Sequence, residues 1–371
     1  MVEEREIVGI FIPFATGVAC CTLIPLHYII YPVAAAALAV IALIIIQIIH
    51  KRDGSLSQFA IIFFLLGILA WWTNSLPSAE TGERMEGFHT FTNDCSTSLK
   101  DVIDSIPYKE KQSGALVQAL TTGDKGKLSK ETVLAFRKSG AAHILALSGL
   151  HLGIIYLILL WVTAFLGNTK SARRIRYFCI VGISGFYCLV TGAAASIIRA
   201  FLFIFLNETS KITGHRKRPI IVLFGALTIQ LSICPDVITS PGFQLSYMAM
   251  MGIYLLFPTV DNWYPQPDLG LTGLKGLINR NDPMRKIWSM ASLSISCQIF
   301  TAPIAWYHFK TFPKYFLITN LIALPLTSII MISSIAIMVL TAFGVCPILL
   351  VEINEKAIGL MTYCLSLIAD M

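Results

Sequence analysis

Residues 143–166 read HILALSGLHLGIIYLILLWVTAFL, twenty-four residues without one formally charged side chain other than two histidines. A bilayer core of about 30 Å is crossed by about 20 apolar residues in a helix. Lipid offers no partner for open backbone groups, so a run of this kind is helical. Comparable runs lie at Ile7–Ile24, Tyr28–Ile49, Phe59–Leu76, Ile175–Ala195, Trp288–Trp306 and Ile348–Ile368, with Tyr315–Gly344 longer still. Across 371 residues, 56% are hydrophobic and only 13% charged, against roughly a quarter charged in soluble domains. The apolar runs are continuous, not alternating, which excludes a transmembrane β-barrel. The fold class is therefore an all-α polytopic integral membrane protein with about 10–12 membrane segments, some of them short, broken or re-entrant.

Shorter apolar segments fall at Ile197–Leu206, Ile220–Cys234 and Phe243–Phe257. The first is too short to span, so the sequence predicts a buried or re-entrant piece there. Pro325 interrupts Tyr315–Gly344 and predicts a break, because proline removes a helix hydrogen bond. Short and broken segments together suggest a transport path. Three regions follow: 1–76 with three spans, a polar segment at 77–142, and a transmembrane domain at 143–371. Within the polar segment, Lys127–Gly140 predicts an amphipathic helix at the membrane surface, with Ser129 as its N-cap.

Charge in the short loops sets the topology. Fifteen Lys and Arg residues fall on one set of loops, counting the N-terminal segment, and only Lys310 and Lys314 on the alternate set. The richer set is expected in the cytoplasm, which places the N-terminus inside and 77–142 outside. The same arrangement explains most of the net charge of +7. The acidic start, MVEEREIVGI, does not read as a cleaved signal peptide. Eight of nine cysteines lie in or beside apolar runs, and Cys95 alone occupies the polar segment. No CxxC or metal-ligand spacing occurs, so no metal or other cofactor is expected.

Polar residues within apolar runs mark candidate sites, because each costs several kcal/mol in hydrocarbon unless paired. His143 and His151, eight apart, sit roughly on one helical face, and Ser148 and His151 are neighbours at a spacing of three. Gly149 and Gly153 would let another helix approach closely. Arg199 is the single arginine in the interior of an apolar segment, Arg176 standing at the very edge of one, and it faces a cavity or partner, or snorkels to the interface. Later segments carry Gln244, Ser246, Gln298, Pro303, Asn320 and Pro325. Each of these also reads simply as glue between helices.

Taken in order, LTTGDKGKLS (with Gly123 and Asp124), HILALSGLHLGII, GAAASIIRAFLF, PGFQLSYMAMMGI, QIFTAPIAWYHF and TNLIALPL resemble the competence-protein DNA-internalisation channels, the ComEC family. The resemblance covers roughly Ala115 to Ile368. It implies a channel that passes one strand of DNA across the inner membrane during natural transformation. His143, Ser148, His151, Arg199, Gln244, Gln298 and Asn320 would then line the path. Implied partners are single-stranded DNA, membrane lipid, a DNA receptor outside, a helicase or single-strand-binding protein inside, and a separate nuclease. Full-length members add an OB-like domain and a metallo-β-lactamase-like domain. The HxHxDH motif of the latter is absent, so the chain reads as a short, channel-only form without nuclease or other enzymatic activity. Two other readings compete: a transporter of a small solute or lipid, and an intramembrane serine hydrolase built on Ser148 and a nearby histidine.

Overall fold

The computed structural model describes residues 4–23, 56–75, 82–214, 218–264, 283–310 and 313–371. The apolar run Tyr28–Ile49 lies outside the described residues, as do the loops with Lys51, Arg52, Arg216, Lys217, Lys275 and Arg280. Among the described residues the chain is helical, with no strand. Its helices are α1 (Glu4–Leu23), α2 (Leu56–Ser75), α3 (Gly82–Asp104), α4 (Lys111–Thr122), α5 (Lys130–Lys138), α6 (Gly149–Val162) and α7 (Lys170–Val190). They continue as α8 (Ala195–Thr213), α9 (Pro219–Ile233), α10 (Pro241–Leu255), α11 (Phe257–Asp261), α12 (Pro283–Phe309), α13 (Phe316–Ala342) and α14 (Ile348–Ala369). Among the described residues, three segments are long and apolar enough to cross a membrane: Gly149–Leu166, Pro283–Phe309 and Phe316–Ala342. The protein is an all-α membrane protein.

The chain divides into two compact units, Met1–Glu86 with Leu202–Tyr247, and Gly87–Phe201 with Met248–Met371. In the first unit α1 and α2 cross without side chains between them. Gly17 lies against the Phe64 carbonyl, and Gly67 lies reciprocally against the Phe14 carbonyl. Small residues at such a crossing bring backbones together, which is how helices associate in lipid. Phe11 also stacks on Phe224 of α9, with ring centroids 5.9 Å apart.

The second unit is organised on an antiparallel hairpin, α13 and α14. Its register is given by Ile337 packing with Val351 near the turn, and by Thr327 bonding Met361 further along. Fully buried Asn354 locks the pair. Its Nδ2 donates to the Ile330 carbonyl (3.0 Å) and to Ser333 and Ser334 Oγ (2.7 and 3.0 Å). The Tyr108 hydroxyl donates to Asn354 Oδ1 at 3.3 Å.

Residues 103–142, read from the sequence as part of an outer polar segment, supply much of this unit's core. Ile103, Leu116, Val117, Leu120 and Phe136 are fully buried with Ile330, Met331 and Leu365. The segment begins beside Asn354 at Tyr108 and ends at Ser139, whose carbonyl accepts from Thr319 Oγ1 at 2.7 Å. Asn354 stands opposite Ser333, so these fixed points are fourteen residues apart along α13, about 21 Å at 1.5 Å per residue.

Two expectations are corrected and a third is refined. Pro325 does not break α13, which runs unbroken from Phe316 to Ala342. Flanking Ala323 and Thr327 are fully buried, and packing holds the helix through a proline, as membrane helices tolerate. Ile197–Leu206 forms the front of nineteen-residue α8, with Ile197, Leu202 and Ile204 buried, and α8 is not among the helices apolar enough to cross a membrane. The helix after His143 starts only at Gly149, with turns before it.

Candidate functional site

The start of α6 is set by its own sequence. Ser148 is extended (φ −130°, ψ 170°) and caps the helix, accepting the Leu150 N–H at 3.3 Å. His151 at the third helical position returns the bond, its Nδ1 accepting the Ser148 N–H at 3.1 Å. This is a capping box with histidine in the place of the usual glutamate. The Ser148 Oγ also lies 3.0 Å from His151 Nδ1, a serine–histidine pair within reach of proton transfer. Both atoms are engaged in the cap, so the contact is what a helix start requires. His151 is fully buried, and its Nε2 has no hydrogen-bond partner among the described residues.

His143 does not share a face with His151. It lies in the turn before the helix, exposed, with Nδ1 3.1 Å from the Gly140 carbonyl. The physical reason is that the backbone leaves helical geometry through 141–148, so a spacing of eight carries no periodicity there.

Arg199 comes to this same helix start. A β-carbon on Gly149 would lie 2.8 Å from Arg199 Nη2 and 3.5 Å from Ala200 Cβ. Glycine at the first residue of α6 thus leaves the guanidinium in this seat, and a larger side chain would displace its tip. One turn earlier, Ser196 Oγ donates to the Leu147 carbonyl at 2.7 Å and ties the starts of α8 and α6 together. The charge of Arg199 also acts on Tyr254 of α10 and Cys297 of α12. Where α10 meets α12, Gly252 lies against the Ser296 carbonyl and a β-carbon there would be 3.2 Å from the Phe300 ring.

Gly123 and Asp124 join from the other side. Gly123 ends α4 in the left-handed conformation (φ 80°), and a β-carbon on it would lie 2.5 Å from Leu147 Cδ1. Asp124 accepts from Lys100 Nζ at 2.6 Å and from the Gly126 N–H at 2.9 Å. The Lys100 bond, followed by the Gly126 N–H, holds its carboxyl below the usual carboxylate range. The Tyr187 hydroxyl donates to the Thr121 carbonyl at 2.8 Å, fixing the end of α4 to α7.

Three of the sequence motifs therefore converge on Leu147–Gly149, and Tyr254 and Cys297, each the neighbour of a further motif in sequence, feel the Arg199 charge. Other candidates stand apart. Gly153 meets nothing within 4 Å, so no helix among the described residues crosses closely there. Gln244 Nε2 donates to the Ile238 carbonyl at 2.9 Å and shapes the turn into α10, in the first unit, where Ser246 also lies half-buried. Gln298 is half-buried in α12, and Pro303 is exposed on it. Asn320 Oδ1 in α13 is buried without a hydrogen-bond partner among the described residues. Sequence reasoning missed Asn354, although an asparagine in the apolar run from Ile348 was a usable signal.

Chemically, a guanidinium on a helix N-terminus is a place for an anion. The first-turn N–H groups and the arginine bear the same sign, each repelled by the other and attracted to negative charge.

The competence protein family matches residues 120–371, about two thirds of the sequence and all of the motifs above from Leu120 onward. This chain belongs to the competence protein family. It is similar to ComE operon protein 3 of Bacillus subtilis (strain 168), 26% identical over 216 residues, which are 57% of this chain and 24% of that protein. An uncharacterized protein of Aquifex aeolicus (strain VF5) is 29% identical over 150 residues, 40% of this chain and 34% of that one. The uncharacterized protein YcaI of Escherichia coli (strain K12) is 23% identical over 237 residues, 63% and 29% of the two chains. The match to this competence protein covers about a quarter to a third of each relative's length. No solved structure matches it.

Proposed function

We propose that this competence protein forms the passage by which single-stranded DNA enters the cytoplasm during natural transformation. The single observation that carries the reading is Arg199 seated on Gly149, at a helix start where the family's motifs meet. Arginine stays protonated at any working pH and offers phosphate a permanent positive potential in a planar fork. His151, in the same first turn, is assigned to the path, as are Asn320 of α13 and Gln298 of α12, which stand apart from the Arg199 seat. His143 belongs to its approach. In this reading the protein is a multi-pass protein of the bacterial cytoplasmic membrane with its N-terminus inside. It receives DNA from a receptor outside and hands it to a helicase or single-strand-binding protein inside. Strand degradation belongs to a separate nuclease.

The test is genetic transformation with purified DNA in cells carrying chromosomal variants. Arg199→Ala abolishes transformation while the membrane level of the protein is unchanged. Arg199→Lys keeps the charge, loses the fork, and leaves partial activity. Full transformation by Arg199→Ala overturns the assignment and makes Arg199 a snorkelling residue.

A further inference from the structure

Two segments far apart in sequence meet at the open end of the α13–α14 hairpin. Ser139 accepts from Thr319, and a β-carbon on Gly140 (φ 87°) would lie 2.7 Å from Pro313 Cβ. Each segment brings exposed cations: Arg137 and Lys138 from the last turn of α5, and Lys310 and Lys314 from the connection after α12. None of the four makes an ion pair among the described residues. Exposed His143 adjoins them, next to Gly140. Asp370 is the carboxylate closest in sequence to this end, where Tyr315 bonds the Met371 carbonyl.

Aromatic rings accompany the charge. Tyr307 is 72% exposed and Trp306 57%. The Lys310 ammonium stands 5.5 Å from the Tyr307 ring centroid, and His308 packs edge-on to the same ring at 5.1 Å. Lys310 holds a left-handed backbone (φ 53°) at the end of α12, where glycine is the usual residue. A lysine here costs backbone strain that a glycine would not.

We propose that Arg137, Lys138, Lys310 and Lys314, with Tyr307, form a landing surface for single-stranded DNA at the mouth of the passage. This rests on the passage reading above. Cations clustered beside exposed rings are what single-strand binding uses: the charges follow the phosphates, and a base stacks on the ring. A short stretch of chain links this surface to the Arg199 seat. From His143 to the Gly149 cap the chain is six residues long and spans at most about 20 Å. The same chemistry fits an anionic lipid headgroup, so the test has an arm for it.

Full-length protein is placed in phosphatidylcholine nanodiscs, and binding of a fluorescent oligothymidine is followed by anisotropy across a salt series. Wild type binds, with a steep salt dependence. The combined Arg137→Gln, Lys138→Gln, Lys310→Gln, Lys314→Gln variant loses about a hundredfold in affinity. Its log–log salt slope becomes shallower by about 3, as four lost phosphate contacts require. Tyr307→Ala weakens binding about tenfold with its slope unchanged, the loss of one stacked base. Lys310→Gly relieves the backbone and melts no lower than wild type, yet binds more weakly. Quadruple-variant binding equal to wild type overturns the proposal, as does wild type that binds no oligonucleotide. So does a quadruple variant that loses phosphatidylglycerol retention in mixed nanodiscs while keeping the oligonucleotide. The passage reading is judged apart, by transformation: if the patch fails here while Arg199→Ala still abolishes transformation, the passage stands without this landing surface.

Discussion

Gly149 and Gly153 lie one turn apart in one helix, and replacing each by alanine separates packing from function. In a helix interior, Gly→Ala is worth about 0.5–1 kcal/mol of stabilisation. Gly153 meets nothing within 4 Å, so Gly153→Ala gains that amount and changes nothing else. At Gly149 the new β-carbon would sit 2.8 Å from Arg199 Nη2, where ordinary contact begins at 3.4 Å. The guanidinium must withdraw by about 0.6 Å, the difference between those two distances. The tip of an arginine is flexible, so the fold absorbs this and the helix stays within about 1 kcal/mol of wild type. What changes is the position of the charge over the first-turn N–H groups. Thermal unfolding of purified protein is read beside transformation frequency with purified DNA, at matched membrane levels. The expected result is near-wild-type melting for both variants, wild-type transformation for Gly153→Ala, and at least a tenfold loss for Gly149→Ala. Normal transformation by Gly149→Ala, or equal loss from both, refutes the idea that the seat of Arg199 matters.

Other predictions follow from single contacts. Asn354→Leu strands the Tyr108 hydroxyl and removes the bonds to Ile330, Ser333 and Ser334, so thermal stability in detergent falls by about 3 kcal/mol. Asp124 titrates below the usual range in the folded protein, because of Lys100 first and Gly126 second. Its contribution is therefore present above about pH 4 and is lost as pH falls through the lowered value. The pair is about one-third exposed, which keeps the effect under about 1 kcal/mol. Asp124→Asn then melts slightly lower than wild type at neutral pH, and the gap closes in acid. Cys95, half-buried on α3 with a free thiol, reacts with an impermeant maleimide on intact cells if the charge-derived orientation holds. Labelling only after the membrane is opened inverts the orientation.

The helical class was legible in the apolar runs, and the family in the order of its motifs. Both depend on composition and local spacing alone. The capping function of Ser148 was hidden because the residues before it, HILAL, are as apolar as the helix after it. Hydropathy cannot tell a buried turn from a buried helix. The core role of α4 and α5 was hidden for the opposite reason. At 12 and 9 residues, with Gln118, Thr121 and Arg137 among them, they fall short of any span criterion. Their burial follows from the α13–α14 hairpin beside them, which local sequence does not encode. Arg199 was visible as an anomaly, but its partner was not, since Gly149 is fifty residues away.

Two kinds of polar group lie inside this helical protein, and the difference bears on function. Asn354 is matched at both ends of its amide, and Gln244 and Tyr187 bond the carbonyls of turns. These groups return what their burial costs and hold helices in register. Arg199 brings a full positive charge to a helix start. A cation by a helix N-terminus opposes the dipole by about 0.3–1 kcal/mol, whatever else the side chain touches. A lysine-free, arginine-free start would fold α6 better, given that Ser148 and His151 already cap it. Local rules broken against a stability gain are expected where a site needs them. The positive end of α6 and the guanidinium raise the potential at one point, where Gly149 leaves room and Ser196 ties α8 to the start of α6. A passing phosphate converts that mismatch into attraction, and a neutral solute does not. That asymmetry is the physical reason to favour a polyanion over a small neutral cargo, and Arg199→Gln, similar in size but uncharged, isolates it. Loss of DNA transfer with unchanged melting is the expected outcome; retained transfer removes the charge from the argument.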